Sequence, residues 1–577
     1  MKEMKLTEII GQNQALGRSL SKKLEYKLAV LSNIMVPQVR EIMELMLRRE
    51  EINAVVEFGD YDNIVQDSTK FTGHNAILIF WELANLVDGL QYKIELMDKG
   101  EVDLLTEKII SEIDLTLSNL GKTSLVLMNR FSTLLFNSTQ IRKNNFDYIA
   151  EQLNSYLDEN NASNMIIIDI DKIIADVSVL KCADWRFYYS SKSLYTVEFF
   201  KAYAKFVRPI FMSACGKAKK ALIFDCDNTL WKGILGEDGH DGIKMSALMP
   251  EGVVYEEVQS IAVKLAKQGV IIGICSKNNA SDVDEVINNH SDIKLSDKHI
   301  VIKKVNWQSK LDNLISMAHE LNVSLESFVF IDDSAFEINH IRAELPLVTT
   351  IQVPKTTYLY PSIIRDNSNL FFSLAHTSED IQKATMYKED ALRREVKVRF
   401  GNIEEYLSSL ELKVTIFENN EELFPRTAQL TQKTNQFNLT TKRYVESEIR
   451  AHIMNSAGIH FAFSVVDKFG DCGVVGVIIV NVVGVVAEFD SFLMSCRVIG
   501  RNVEYTVTDW VIARLKEKGI KEVRAKYRRT QKNEQVSTFY DSLGFAQASS
   551  DSEGKYYVLE VEKYLAKNIN YIEVKNG

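Results

Sequence analysis

The sequence predicts an α/β multidomain protein, and three observations lead to that fold class. Its 577 residues exceed what one hydrophobic core organises, which indicates several domains. In the first part of the chain, short apolar runs alternate with helical periods, a pattern typical of parallel sheets covered by helices. Near the C-terminus, the apolar runs Phe461–Val466, Val474–Val483 and Val486–Phe489 lie close together and indicate an antiparallel meander.

The first domain is expected over residues 1–216 as a Rossmann-like sheet flanked by helices. Its candidate strands are Lys27–Asn33, Asn53–Phe58, Ala76–Trp81, Ser124–Met128 and Met165–Ile170. Helical periods such as Val36–Glu50, Leu104–Leu120 and Asn145–Leu157 separate several of them. Gly121-Lys122-Thr123 is not interpreted as a phosphate loop, because Thr116 stands where the leading glycine belongs.

Composition excludes several classes of protein. The net charge of −10 argues against a nucleic-acid binder. No apolar run predicts a membrane span, and the N-terminus lacks the pattern of a secretory leader. The six cysteines have neither zinc spacing nor the pattern of a disulfide framework, so we expect a reducing cytoplasm.

The second domain, expected over residues 217–355, carries the clearest chemistry. The buried strand Ala221–Phe224 is followed by Asp225-Cys226-Asp227-Asn228-Thr229, at the strand end where open α/β sheets bind ligands. Two carboxylates two residues apart can take separate catalytic roles. Asp225 would attack phosphorus, and Asp227 would act as general acid and base. A magnesium ion would offset the charge of phosphate meeting carboxylate.

Three further pieces of a phosphate site follow in order. Ser276 ends the strand Val270–Cys275 and is predicted to bind phosphoryl oxygens. Lys310 opens a helix and would stabilise the developing charge, and Asp332-Asp333 follows the strand Phe328–Ile331. The predicted magnesium ligands are Asp225, Asp227, Asp332 and Asp333, and the predicted phosphate-binding residues are Asn228, Thr229, Lys277 and Asn278. The short spacings between these pieces leave no room for a large cap domain.

These motifs resemble the FkbH-like branch of the haloacid-dehalogenase (HAD) superfamily, subfamily IIIC. The resemblance rests on Asp225-Cys226-Asp227-Asn228-Thr229-Leu230-Trp231, Cys275-Ser276-Lys277-Asn278-Asn279, Asn306-Trp307-Gln308-Ser309-Lys310 and Phe330-Ile331-Asp332-Asp333-Ser334. It extends to Thr434-Asn435-Gln436-Phe437-Asn438 and Ser495-Cys496-Arg497-Val498-Ile499-Gly500-Arg501. The first domain is similar to the degenerate SGNH-hydrolase-like domain of such proteins. Leu31-Ser32-Asn33 stands where an SGNH hydrolase has Gly-Asp-Ser, so hydrolase activity is not expected there.

A helical connector is expected over residues 356–411, and a third, α+β domain over residues 412–577. Arg497-Val498-Ile499-Gly500-Arg501-Asn502 resembles the pyrophosphate loop of GCN5-type N-acetyltransferases (GNAT), although Asn502 departs from the pattern. Arg497, Gly500 and Arg501 are therefore predicted to bind substrate at a helix start. In the GNAT fold, two central strands splay apart and a pantetheine arm lies in the gap.

Cys496, just before this loop, has two interpretations. It is either a buried, inert thiol or a nucleophile whose pKa nearby arginines and a helix N-terminus would lower. Cys472 in Asp471-Cys472-Gly473 is a rival, although that segment is also a simple strand turn.

The FkbH resemblance implies a function. Such proteins take a glyceryl unit from 1,3-bisphosphoglycerate, remove its phosphate, and load glycerate as a thioester on an acyl-carrier protein of polyketide biosynthesis. Two alternatives remain at this stage. One is a magnesium-dependent small-molecule phosphatase fused to a coenzyme-A-dependent acyltransferase. The other is a carrier-docking scaffold with a relic site, which the intact set of carboxylates argues against.

Overall fold

The computed structural model describes residues 3–121, 123–162, 164–374, 389, 393, 396, 400–454, 458–530, 532–551 and 553–577. They form two compact units, one of Met1–Phe211 with Tyr444–Ala451 and one of Met212–Arg443 with His452–Gly577. Most of the charged helix expected over Glu379–Arg399 lies outside the described residues. Among those residues, no helix has both the length and the apolar character that a bilayer span requires.

The first unit is built on a parallel sheet of five strands in the order β2-β1-β3-β4-β5. These strands are β1 (Glu25–Ser32), β2 (Asn53–Phe58), β3 (Ala76–Phe80), β4 (Val126–Asn129) and β5 (Met165–Ile168). Its longer helices are α1 (Leu6–Leu20), α2 (Gln38–Arg48), α3 (Ile64–Lys70), α4 (Lys99–Asn119), α5 (Asn145–Glu159), α6 (Ile170–Val177), α7 (Trp185–Ser191) and α8 (Val197–Ala214). Each strand lies within a few residues of its prediction, because each apolar run in this region has about the length of a strand.

A second parallel sheet of five strands, in the order β10-β9-β6-β7-β8, carries the Asp225 motif. Its strands are β6 (Ala221–Phe224), β7 (Ile271–Ser276), β8 (Ile300–Val305), β9 (Phe328–Asp332) and β10 (Thr349–Gln352). Between and after them lie α9 (Leu235–Gly242), α10 (Val253–Lys267), α11 (Ala280–Asn289), α12 (Lys310–Leu321), α13 (Ala335–Glu344) and α14 (Tyr360–Ser368). This stretch is described throughout, and its connections contain these helices and short turns, so no cap domain covers the strand ends.

The C-terminal part is a mixed sheet of nine strands, in which β15 and β16 are interior neighbours. The strands are β11 (Leu412–Glu418), β12 (Phe437–Asn438), β13 (Gly458–Asp467), β14 (Gly470–Val483), β15 (Val486–Met494), β16 (Glu522–Arg528), β17 (Ala546–Ser550), β18 (Gly554–Glu560) and β19 (Ile572–Asn576). Its longer helices are α15 (Ile403–Ser409), α16 (Phe424–Lys433), α17 (Glu446–Met454) and α18 (Val503–Glu517). The α/β multidomain fold class is thus confirmed.

The two central strands of this sheet splay apart, as the GNAT resemblance implies. Strands β15 and β16 run parallel and pair over four residues, from Val486 opposite Glu522 to Phe489 opposite Ala525. Beyond that point their ends separate. A parallel pair joined by a helix, here α18, opens in this way when neighbouring strands twist differently.

The gap between the splayed strands is not an open groove, and this corrects the expectation from the resemblance. Strand β12 pairs with β15 inside the gap, with Phe437 opposite Met494. The Leu439 amide donates to the Phe492 carbonyl at 3.0 Å, and its carbonyl accepts from the Arg528 amide at 2.7 Å. The chain's own segment therefore fills the hydrogen-bonding positions that a pantetheine arm would need.

Candidate active site

The phosphate-site residues meet because β6 lies in the centre of its sheet. It pairs in parallel with β7 on one side and β9 on the other. Parallel strands end at the same sheet edge, so Asp225, Ser276 and Asp332 come together there. Asp225 lies directly after β6, while Ser276 and Asp332 are the last residues of their strands.

Lys310 is the centre of the charge arrangement. Its Nζ lies 2.9 Å from Asp225 Oδ1 and 2.6 Å from Asp332 Oδ2. All three side chains are buried: Lys310 is 4% exposed, Asp225 5% and Asp332 0%. A buried charge is tolerated when it is paired and hydrogen-bonded, and Lys310 meets both conditions. As predicted, it is the first residue of its helix, α12.

Three of the four predicted metal ligands form one acidic cluster. The carboxylates of Asp225, Asp332 and Asp333 each place an oxygen within 4.8 Å of the others. Burial raises the pKa of Asp225 to about 6, against the opposing effect of Lys310. Burial also raises the pKa of Asp332 and of Asp333. Three carboxylate side chains thus meet at one place, and a hard divalent cation with oxygen ligands fits this donor set.

Asp227 lies outside the group of three carboxylates, and its role as a metal ligand stays a prediction. Its Oδ1 accepts hydrogen bonds from Trp231 Nε1 at 3.0 Å and from the Leu235 amide at 3.1 Å. Its Oδ2 accepts from Asn278 Nδ2 at 2.9 Å. These three donors fix the orientation of the Asp227 carboxylate.

The four predicted phosphate-binding residues have different surroundings. Asn228 takes a left-handed conformation (φ 51°), and its Oδ1 accepts from the Gly233 amide. Thr229 is fully buried, and its backbone carbonyl accepts a hydrogen bond from the Tyr360 hydroxyl. Lys277 pairs with Glu337 at 2.6 Å, at the rim of the site. Asn278 Nδ2 donates to Asp227 Oδ2 at 2.9 Å and to Ser276 Oγ at 3.4 Å, so it links these two side chains.

Cys496 is partly exposed, whereas Cys472 is buried. The carbonyl of Cys496 accepts a hydrogen bond from Asn322 Nδ2 at 2.9 Å. Arg501 turns away from it: its Nη1 pairs with Asp467 at 3.0 Å and lies 3.9 Å from Cys472 Sγ. Arg497 stays nearby and donates from Nε to Ser495 Oγ. Of the two thiols, Cys496 is therefore the one that a substrate could reach.

The predicted pyrophosphate loop has the expected backbone but an unfavourable side chain. Gly500 and Asn502 both have positive φ, of 80° and 62°. Asn502 tolerates this left-handed conformation, which explains how it replaces a small residue. Glu504 lies in the first turn of α18, two residues after Asn502, and is only 8% exposed. A carboxyl group there opposes a pyrophosphate at this helix start.

The two histidines nearest to Cys496 in sequence are His452 and His460, and both contact other residues. Nε2 of His460 lies 2.9 Å from Thr427 Oγ1, and burial lowers the His460 pKa to about 4. His452 Nε2 contacts Asn481 Oδ1. Cys496 borders a cavity of about 400 Å³, whose basic lining residues include Lys220, Arg426 and Lys532, and neither histidine lines it. The order of residues offered no basis for choosing between them, and the structure assigns neither as a base for Cys496.

Comparisons with known proteins agree with the fold. No protein-family model and no curated protein match the chain. A structure of the N-terminal part of the protein BF1531 from Bacteroides fragilis, which contains a phosphatase domain complexed with Mg, is similar at 22% identity. The match covers 63% of this chain and 99% of the Bacteroides chain, with a TM-score of 0.55.

Two acetyltransferases also match part of the chain. The ribosomal-protein-S18-alanine N-acetyltransferase from Escherichia coli is 14% identical over 25% of this chain and 90% of that one, with a TM-score of 0.20. A mutant form of the spermidine/spermine N-acetyltransferase SpeG from Vibrio cholerae is 14% identical over 26% of this chain and 95% of that one, with a TM-score of 0.21. The likeness to the Bacteroides structure shows that this chain shares the fold of a protein that contains a phosphatase domain.

Proposed function

We propose that the Asp225 site is a magnesium-dependent phosphohydrolase site. The observation that carries this proposal is Lys310, buried between Asp225 and Asp332 with the Asp333 carboxylate beside them. A structural ion pair needs one carboxylate, whereas a site that receives a phosphoryl group needs a nucleophile, a cation and a metal-binding cluster together. Asp225, Asp332 and Asp333 would hold the ion, which neutralises phosphate charge when bound.

Each side chain then has a separate task. Asp225 attacks the phosphorus atom and forms an aspartyl phosphate. Ser276 donates a hydrogen bond to Asp225, and it lies where it can also bind phosphoryl oxygens. Lys310 stabilises the charge that develops on them. Asp227 protonates the leaving oxygen and afterwards takes the proton of the attacking water, while Trp231 and Asn278 hold its carboxylate in place.

The finer proposal is that the phosphate belongs to a glyceryl unit bound for an acyl-carrier protein. The protein would use 1,3-bisphosphoglycerate and load glycerate as a thioester. Three features support it: the FkbH resemblance, strand ends that no cap covers, and the accessible Cys496. The alternative, a phosphatase fused to a coenzyme-A-dependent acyltransferase, is less favoured, because Phe437–Leu439 fills the gap and Glu504 opposes a pyrophosphate.

Magnesium-dependent phosphate release from a small surrogate ester tests the first proposal. Asp225→Asn should lose at least about 1000-fold in rate, because an amide is nearly isosteric with the carboxylate but is a poor nucleophile. Asp366→Asn, an exposed carboxyl group on α14 of the same domain, is the matched control and should keep wild-type activity. Wild-type release by Asp225→Asn would overturn the aspartyl-phosphate mechanism.

Intact-mass measurement of a holo carrier, incubated with the protein and 1,3-bisphosphoglycerate, tests the second proposal. The expected mass increase is that of one glyceryl group on the carrier thiol. Release of free coenzyme A from acetyl-coenzyme A, with no mass change on the carrier, would favour the alternative.

A further inference from the structure

Exposed apolar side chains of the second domain gather at the sheet edge that carries Asp225. In the fully described stretch from β6 to α14, nine large apolar side chains are exposed. All but Leu347 lie on the connections that run from the carboxyl end of a strand to the helix that returns to the next strand, or in the first turn of that helix. In a parallel sheet, these connections share one edge. Single exposed apolar residues are ordinary, whereas a cluster of them marks an interaction surface.

We call the surface formed by Leu248, Trp307, Phe336 and Tyr358 the apolar rim. These side chains follow β6, β8, β9 and β10 respectively, and they are 92%, 72%, 73% and 75% exposed. Strands β8 and β10 are the two edge strands of the sheet, four strand spacings apart. At about 4.8 Å per spacing, the rim spans roughly 19 Å, and Asp225 follows the central strand. A small phosphate ester covers only part of that width, whereas a folded protein covers all of it.

Two aromatic side chains of the apolar rim are held in place by neighbouring residues. The Trp307 indole donates from Nε1 to Asn279 Oδ1 at 3.3 Å, and Asn279 lies three residues after Ser276. The Phe336 ring lies nearly parallel to the His340 ring, with an interplanar angle of 14° and ring centres 6.1 Å apart. Side chains that are already ordered lose less conformational entropy when a partner covers them.

The charged residues on the same connections favour a protein over other large partners. Three of the four lysines on these fully described connections pair with carboxylates of the same domain: Lys232 and Lys244 with Glu251, and Lys277 with Glu337. An anionic membrane surface or a nucleic acid is bound mainly through clusters of available cations. The apolar rim therefore fits the apolar surface of a protein better than either of them.

The reactive groups lie below the apolar rim. Asp225, Lys310 and Asp332 are almost completely buried, whereas the side chains of the rim stand mostly in solvent. A phosphate fixed directly to the surface of a docked protein would stay level with the rim. A phosphate at the end of a flexible arm can extend past the rim to Asp225. The difference in burial therefore favours a partner that carries its phosphate on an arm.

We propose that the apolar rim is the docking surface for a folded protein that presents its phosphate on a flexible arm. The apolar surface of that protein covers the rim while the arm enters the Asp225 site. This inference rests on the phosphohydrolase function proposed for Asp225, and it requires neither an acyl group nor Cys496. Docking raises the local concentration of the phosphate at Asp225, so it lowers KM and leaves kcat to the chemistry of the site.

Phosphate release from a matched pair of substrates tests the docking. One substrate is a holo carrier protein whose pantetheine thiol is alkylated with a short chain that ends in a phosphate monoester. The other is the same thioether on free pantetheine. A thioether cannot pass to another thiol, so acyl transfer does not enter the measurement. With magnesium, the full-length protein should have a kcat/KM at least about 20-fold higher on the carrier-borne phosphate, through a lower KM.

Substitutions on the apolar rim should remove this preference. Leu248→Ser combined with Tyr358→Ser should raise the KM for the carrier-borne phosphate about 10-fold and keep kcat within about 2-fold, because these side chains touch the partner and not the phosphate. Leu347→Ser is the matched control. Leu347 is also an exposed leucine of this domain, but it precedes β10 and so lies at the opposite edge of the sheet.

A preference for the carrier that the rim variant loses and Leu347→Ser keeps supports the proposal. Equal kcat/KM of the wild type on both substrates overturns the docking surface and leaves the phosphohydrolase function intact. Release from neither substrate overturns the phosphohydrolase function and the docking surface with it. Size-exclusion chromatography examines the other occupant, a second copy of this chain. A dimer of the wild type that the rim variant separates into monomers would overturn the assignment to a carrier.

Discussion

At the scale of single residues, Lys310 decides what the phosphate site can do. Burial opposes its positive charge, but the carboxylates of Asp225 and Asp332 outweigh that effect and raise its pKa well above the ordinary value. It therefore remains charged at any physiological pH. The same contact offsets the mutual repulsion of the two carboxylates.

We expect Lys310→Met to abolish phosphate release, with a loss of at least about 100-fold, because the phosphoryl charge loses its fixed cation. The matched control is Lys303→Met. Lys303 also bridges two carboxylates, those of Asp284 and Asp297, but at the surface and away from the strand ends. Steady-state kinetics on a surrogate ester compare the two variants. Equal losses in both would show that Lys310 acts only through stability.

The orientation of Asp227 is a feature that residue type leaves open. The Trp231 indole and the Leu235 amide both donate to one oxygen of its carboxylate. The donors come from the turn that follows the motif. Their direction depends on how that turn packs, which the order of residues alone does not state.

At the scale of elements, the first turn of α18 holds an unexpected buried carboxyl group, that of Glu504. Burial raises the pKa of Glu504 from 4.5 to about 7. Below about pH 4.5 the carboxyl is protonated in the folded and unfolded states, so it adds no pH dependence. Between the two values only the folded state keeps the proton, so the free energy of unfolding falls as the pH rises. Above about pH 7 the loss is complete, on the order of 3 kcal/mol.

Glu504→Gln should therefore stabilise the protein at pH 8 and change little at pH 5. Thermal unfolding midpoints at both pH values measure this. Glu517→Gln, at the exposed end of the same helix, is the control and should shift neither midpoint by more than a few degrees. The assignment of a buried, titrating carboxyl would be contradicted by equal midpoints for Glu504→Gln and wild type at pH 8.

At the scale of the whole molecule, the Asp225 cluster and a basic cavity lie at opposite ends of one sheet. Asp225 lies at the carboxyl ends of β6 and its neighbours, and the basic cavity lies at their amino ends. Helix α12 runs between them and contacts both. A carrier with a flexible arm could serve both ends, whereas a fixed side chain could not.

This separation predicts that the two activities can be uncoupled. Cys496→Ser should release phosphate from a surrogate ester at a rate within about 2-fold of wild type, because Asp225 is roughly 18 Å away along α12. It should fail to load a carrier, because an oxygen ester is a poorer acyl donor to a thiol. Phosphate release and carrier mass are measured on the same preparation. Loading at the wild-type rate would mean that the carrier thiol attacks the donor directly.

The sequence by itself determined the parallel sheets and the order of the phosphate-site residues. Each of these is a local signal: an apolar run of strand length followed by a polar residue at its carboxyl end, as at Asp225, Ser276 and Asp332. Lys310 at a helix start is equally local, and the resemblance located Cys496 and Gly500 in the third domain. Such local patterns can be recognised in the sequence without any knowledge of tertiary packing.

Only the tertiary structure decided the direction of Asp227, the closure of the gap by Leu439, and the basic cavity. The cavity brings Lys220, Arg426 and Lys532 together from distant parts of the chain. No local pattern marks them, because each is an ordinary surface-type residue in its own segment. Their proximity follows from how the two sheets pack, and long-range packing depends on the shape of whole faces rather than on neighbours in sequence.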